Sequence, residues 1–289
     1  MCQEKITISN IDDLYKIEKE KRENFHTVDS DPYKNNLTLF FRGQADYSWE
    51  LKPSIMRQEG LHEWEELIDY DPNIENLLTY IAKCQHYGKK TRFLDFSTDI
   101  NVALFFACNQ DNDKDKDGSL FICPYVPRKM SWIDSFIISE LSMLKEEISL
   151  MDFSDNILRK YSALKSHYED ISELCTQIVS WLDHGFLVLP DKDEYEKMKE
   201  YNKRIYNQKG AFFVCGNRTK KPLDSWSRIS SHAGDNIIIP EINDVPDTIQ
   251  SSKFVTNIKI PSQLKSSILD YLNEKGINED YLYNNKRTG

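Results

Sequence analysis

Apolar positions along the chain come in short runs that alternate with polar, irregular stretches. The opening KITI predicts a short strand, followed by a helix over roughly residues 11 to 24 with Ser9 or Asn10 as its cap. LTLFFR at 37–42 is a strand-length apolar run that ends in Gly43. Helices are predicted around 63–69 and from about Asn73 to Tyr87, the second stopped by Gly88. TRFLDFSTDINVALFFAC predicts a strand at 91–96, a turn at Ser97 and Thr98, and a helix over about 99–109. That helix is apolar on all faces, which places it in a core. SLFICPYV predicts a strand, and the acidic run DNDKDKDG before it a solvated turn. From about Trp132 to Trp181 the pattern is helical with a charged face (KEE, LRK, YED), as in an inserted helical hairpin. FLVL, AFFVC, NIIIP and KFVTNIKIP predict further strands, with a helix or helix-loop over 191–205 and a closing helix from about Ser262 to Lys275.

Strands and helices are mixed without the regular βαβα alternation of a doubly wound sheet. The expected class is therefore α+β, a small mixed sheet with surrounding helices plus a helical insertion. No internal repeat is present. Residues 1–34 form a lead-in and 284–289 a tail.

Composition narrows the function classes. The 289 residues suffice for a sizeable core without disulfides or metals. The net charge is −10, from 37 Lys and Arg against 47 Asp and Glu, which argues against a duplex-DNA face. No run of 18 apolar residues suggests a membrane span, and MCQEKITISN lacks the pattern of a secretory signal. The six cysteines are scattered, mostly in apolar runs, as expected for buried thiols in a reducing cytoplasm. Only ten of the basic residues are Arg, so an Arg inside an apolar strand stands out.

Four stretches hold candidate chemistry. In FFRGQ, Arg42 leaves an apolar strand, Gly43 permits close approach of a ligand or another backbone, and Gln44 follows. Arg42 serves either a cleft or a buried pair with a carboxylate such as Asp95. In WELKPSIMR, Trp49 and Leu51 read as core, and Lys52 and Arg57 as either surface charges or extra positive charge near Arg42. CQHYGKKTRFLDFSTD brings His86 as a possible acid, base or donor, Arg92 three residues before Asp95, and Ser97 and Thr98 where a strand turns into a helix. Ser and Thr there are ordinary caps, but such a helix start also offers backbone N–H groups to an anion. In RIYNQKGAFFVC, Gln208 either has no role or hydrogen-bonds a ribose hydroxyl. No phosphate-loop, zinc or nucleophile-elbow motif occurs, and no metal-ligand constellation stands out.

Taken in order, FRGQ, W-x-L-x-P-S-x-x-R, QHYG-x-x-TR-x-LD-x-S, VALFFA, Q-x-G-x-F and the closing IKIPSQLKSSILDYLNEKGI resemble the FRG domain. The resemblance runs from about residue 35 to 283, interrupted at about 132–181, with Lys90 and Phe96 where the family more often has Pro and Trp. It implies a bacterial or phage protein with a toxin or defence role. A more distant likeness is to the R-S-E class of ADP-ribosyltransferases and implies a transferase-like core. On that likeness Arg42 contacts NAD, Ser97 or Thr98 shapes the pocket, and Gln208 stands where a Glu is expected. The leading expectation is a nucleotide cleft built by Arg42, Gly43, Gln44, Arg57, His86, Arg92, Ser97, Thr98 and Gln208, with NAD as cofactor and a nucleotide or macromolecular target as partner. The rival is a non-catalytic interaction domain, with Arg42, Arg92 and Asp95 in a buried ion network and a protein docked on the 132–181 helices.

Overall fold

The computed structural model describes residues 4–26, 37–56, 80, 84, 89–168, 170–189, 195–196, 199–200, 202–223, 236–242 and 255–283. The fold is α+β, built on a mixed seven-stranded sheet in the order β1-β10-β4-β2-β3-β7-β6. These strands are β1 (Glu4–Thr7), β2 (Thr38–Gln44), β3 (Phe93–Ser97), β4 (Gly118–Tyr125), β6 (Gly185–Val188), β7 (Gly210–Cys215) and β10 (Thr256–Ile260). Only β1 and β10 run parallel; every other neighbouring pair is antiparallel. A second, three-stranded sheet joins β5 (Ile148–Ser149), β9 (Ile237–Ile242) and β8 (Asn217–Thr219). Strands β5 and β8, two and three residues long, are too short to leave an apolar period in the sequence.

One face of the large sheet carries two cores side by side. Over β10, β4 and β2 lie α1 (Ile11–His26), α2 (Ile100–Cys108) and α8 (Lys265–Glu274), packing Leu14, Val102, Leu104 and Ile268 on Phe41, Leu120, Ile122 and Ile258. Over β3, β7 and β6 lie α3 (Trp132–Ser142), α4 (Leu150–Lys160), α5 (Ser162–Lys165) and α6 (Ile171–Val179). The 132–181 stretch thus forms four helices rather than a hairpin. Its apolar faces are spent on Phe93, Val188, Phe212 and Val214 of the sheet. Trp181 closes this core, its indole N–H donating to Asp134 at 2.7 Å beneath the Arg128 guanidinium. The opposite face of the sheet holds Phe40, Leu94, Phe96, Phe121, Ala211 and Phe213 with Leu51 and Val255.

Sequence signals account for most boundaries. Asn10 caps α1: its Oδ1 accepts the Asp13 N–H while the Asp13 carboxylate accepts the Ser9 N–H. The closing helix ends on Gly276, whose φ of 77° is the left-handed geometry glycine supplies. A short helix after it, α9 (Glu279–Tyr283), went unpredicted, as did the two short strands. The acidic run is less solvated than expected. Asp113 is buried, pairs with Lys116, and gives its carbonyl to the buried Lys265 ammonium at 2.8 Å. The helices predicted over 63–69 and 73–87 lie outside the described residues except for Tyr80 and Cys84, both helical. Of the helix or helix-loop predicted over 191–205, the described residues 195, 196, 199 and 200 are helical, and Lys203–Asn207 forms α7. Cys84, Cys108, Cys123, Cys175 and Cys215 are free and buried. Among the described residues no helix is long and apolar enough to cross a membrane.

Candidate functional site

Strand β2 is zipped to β4 along its whole length, from Thr38–Tyr125 to Gln44–Ser119. On its other side it meets β3 at a single pair, Phe41–Ser97. Beyond that pair the two strands part, and Arg42, Gly43 and Gln44 lose their strand partner on that side. The Arg42 guanidinium occupies the gap: its Nη1 donates to the Asp95 carbonyl at 2.6 Å and its Nε to Gln44 Oε1 at 3.1 Å. A side chain thus takes a backbone acceptor that the ladder leaves open.

Helix α2 packs against β2 beside the parting. A Cβ on Gly43 would stand 1.8 Å from the Ala103 carbonyl oxygen and 2.6 Å from the Ala107 nitrogen. Only glycine lets α2 lie this close to β2. The close approach allowed by Gly43 is therefore made by another backbone. Helix α2 begins at Asp99, whose carboxylate accepts the Asn101 N–H at 2.9 Å. Neither Ser97 nor Thr98 is the cap. Ser97 instead bridges two turns, its Oγ accepting from the Asp99 N–H at 3.0 Å and donating to the Gln208 carbonyl at 2.7 Å. Thr98 donates its N–H to the Lys209 carbonyl at 3.0 Å. Lys209, at φ 45°, holds a conformation that costs a side-chain-bearing residue about 1–2 kcal/mol. Its ammonium meets the Asp99 carboxylate at 2.6 Å. Burial raises the Asp99 pKa, but that ammonium and the Asn101 N–H outweigh it and hold the group below the usual range.

A cavity of about 340 Å³ opens where the strands part. From β2 and its following turn come Arg42, Gln44 and Trp49; from β3, Asp95 and Ser97; from the end of α2, Phe106, Asn109 and Gln110. Across the cavity stand Arg204, Gln208 and Tyr283. The far wall is closed by α9. Gln208 Nε2 donates to the Leu282 carbonyl at 3.2 Å, and Asn109 Nδ2 to Glu279 at 2.8 Å. The Arg204 guanidinium lies 4.8 Å over the Tyr283 ring. Two guanidiniums face one carboxylate, Asp95, within a chain of net charge −10. Such a lining favours an anion with hydrogen-bonding edges.

The structure brings five of the predicted residues to this cavity: Arg42, Gly43, Gln44, Ser97 and Gln208. Arg92 is a correction. It is 2% exposed and donates to the Cys215 carbonyl at 3.2 Å and Asn217 Oδ1 at 3.0 Å, away from the cavity. The buried Arg42–Arg92–Asp95 ion network is likewise replaced: Arg42 meets Asp95 through its backbone carbonyl, and the Asp95 carboxylate is exposed. Thr98 is spent on the Lys209 turn and does not line the cavity. Arg57 and His86 lie outside the described residues. Lys52 pairs with Glu50 at 2.5 Å. Trp49, read as core, is 40% exposed at the cavity mouth. Trp49, Asn109, Gln110, Arg204 and Tyr283 were not predicted as site residues; Arg204 alone carried a signal, as one of the ten arginines. Among the described residues no group of three or more His, Cys, Asp or Glu is placed to hold a metal ion.

A family model described as the FRG domain matches residues 38–116. Residues 38–116 carry an FRG domain. No curated protein and no solved structure matches the chain. The matched FRG residues supply β2, the Trp49 turn, β3 and α2, and so one whole side of the cavity. Arg204, Gln208 and Tyr283, on the other side, come from the chain after the match. The Q-x-G-x-F piece and the closing strand and helix of the resemblance also lie beyond it.

Proposed function

We propose that the cavity between β2 and β3 binds a nucleotide, with NAD the ligand and Arg42 on its phosphates, and that the protein is an ADP-ribosyltransferase-like effector in a bacterial toxin or anti-phage defence setting. The observation that carries this reading is the parting of the two strands beyond Phe41–Ser97, with a guanidinium set in the gap. A planar charged fork on a fixed strand suits a phosphate, and Arg204 across the cavity offers a second. The Gln110 amide and the side-chain oxygens of Asn109 and Gln208 supply hydrogen-bonding groups for ribose and base. The volume lies at the low end for ligand sites, so one half of a dinucleotide is enclosed and the other lies along the open mouth. The toxin or defence setting rests on the family resemblance alone.

Transfer of ADP-ribose breaks the bond from ribose C1′ to the nicotinamide nitrogen. The bonding pair leaves with nicotinamide and positive charge develops on the ribose. Gln208 carries no charge to meet it, and its Nε2 is spent on the Leu282 carbonyl. Glu196 and Glu200 are exposed and do not line the cavity, and Glu194 lies outside the described residues. Among the described residues lining the cavity the one carboxylate is that of Asp95, and it takes this role in the proposal. A charge held beside the ribose contributes about 3–4 kcal/mol to a barrier. Calorimetric titration with NAD, followed by an assay for released nicotinamide, tests the proposal. Binding heat with nicotinamide release supports the transferase; heat without release reduces it to a nucleotide-binding module; no heat overturns both.

A further inference from the structure

We infer that the Trp49 indole is a stacking platform for the ligand's planar base, placed so that the phosphate of the same ligand reaches Arg42. This deepens the nucleotide reading and rests on it. Trp49 is 40% exposed and lines the cavity; among the described residues the other large apolar side chains left as open, Trp132, Met143, Met151 and Tyr281, do not. An indole left in water costs free energy that a fold ordinarily avoids by burial.

The backbone beneath this ring is fixed from several directions. The Trp49 N–H donates to the Asp46 carbonyl at 3.2 Å, and Tyr47 N–H to the Asp117 carbonyl at 2.7 Å. The Asp46 carboxylate accepts from the Ser48 N–H at 2.8 Å, the Ser48 hydroxyl at 2.6 Å and the Lys116 ammonium at 2.7 Å. The buried Lys265 ammonium holds the Ala45 carbonyl at 2.7 Å. A turn so firmly tied fixes the backbone from which the ring projects, which lowers the entropic cost of binding.

One amide then ties the backbone that carries the ring to the charge. Gln44 is 4% exposed; its Nε2 donates to the Trp49 carbonyl at 2.9 Å, and its Oε1 accepts from Arg42 Nε at 3.1 Å. The Trp49 backbone and the Arg42 guanidinium are therefore held by opposite ends of one buried side chain. A flat π face and a phosphate fork lining one cavity are complementary to a nucleoside phosphate, whereas a sugar phosphate would use the fork alone.

The test compares AMP with ribose 5-phosphate, by calorimetry, on the wild type and on Trp49→Ala, Trp49→Leu and Trp49→Phe. Trp49→Ala and Trp49→Leu should weaken AMP roughly tenfold to a hundredfold and leave ribose 5-phosphate within about twofold, while Trp49→Phe retains most of the AMP affinity. Loss in Trp49→Leu despite its apolar bulk separates stacking from simple contact. AMP binding unchanged in Trp49→Ala overturns the platform and leaves the nucleotide site standing. Wild type binding ribose 5-phosphate as tightly as AMP does the same. No binding of either probe to the wild type overturns the nucleotide reading and the platform with it.

Discussion

Two arginines, Arg42 and Arg92, leave apolar strands on the same face of the sheet and meet opposite fates. Arg92 sits at the start of β3, where β3 is zipped to β7 over five pairs, and is 2% exposed. It ties β3 to Cys215 and Asn217, and Asn217 passes the connection on to the Ile239 carbonyl of the small sheet. Arg42 sits where β2 and β3 part, and it lines the cavity there. An Arg beside a closed ladder is buried and tied to backbone across the sheet, whereas an Arg where the ladder opens keeps part of its surface in a cavity.

Substituting Arg92 should have the largest effect. Arg92→Met leaves the Cys215 carbonyl and the Asn217 amide without their buried donor, and an unsatisfied or uncompensated buried polar group of this kind costs about 3–5 kcal/mol. Urea unfolding reads the loss directly. A stable Arg92→Met that has lost nucleotide binding instead would break the comparison.

Gly43→Ala comes next, at about 3 kcal/mol, because the added methyl meets the Ala103 carbonyl oxygen at 1.8 Å and backbone must move. The same urea titration measures it.

Acid provides a third, smaller effect, near the platform turn. Lys116 and Ser48 hold the Asp46 carboxyl down to about 2, from an ordinary value of 3.8. A lowered folded-state pKa gives stability that is complete above about pH 4 and lost as pH falls towards 2. Since Lys116 is half exposed, this amounts to about 1–2 kcal/mol. Asp46→Asn should flatten that part of the stability profile, and an unchanged acid limb would show that the turn is not held by this charge.

Much of the closed region was legible in the sequence. Short apolar runs marked the major strands, and the all-apolar INVALFFAC marked a core helix. The open region was legible only in part. FRGQ announced a charged side chain and a close approach on one strand, but nothing local distinguishes Arg42 from Arg92. Their partners lie 53 residues from one and 123 from the other, beyond any periodicity. Trp49 read as core because it is apolar, and its exposure is decided by a turn tied to Lys116 and Lys265. Tyr283 reaches the cavity through α9, a helix of five residues with too few turns to show an apolar face.

The most direct test is a single variant, Arg42→Ala, measured for stability and for NAD binding in the same buffer. The account predicts a loss of stability under about 1 kcal/mol, since the guanidinium is only partly buried and its bonds cross a solvent-accessible gap, together with loss of NAD binding. Full NAD affinity in a folded Arg42→Ala, or a protein destabilised as severely as Arg92→Met, would contradict it.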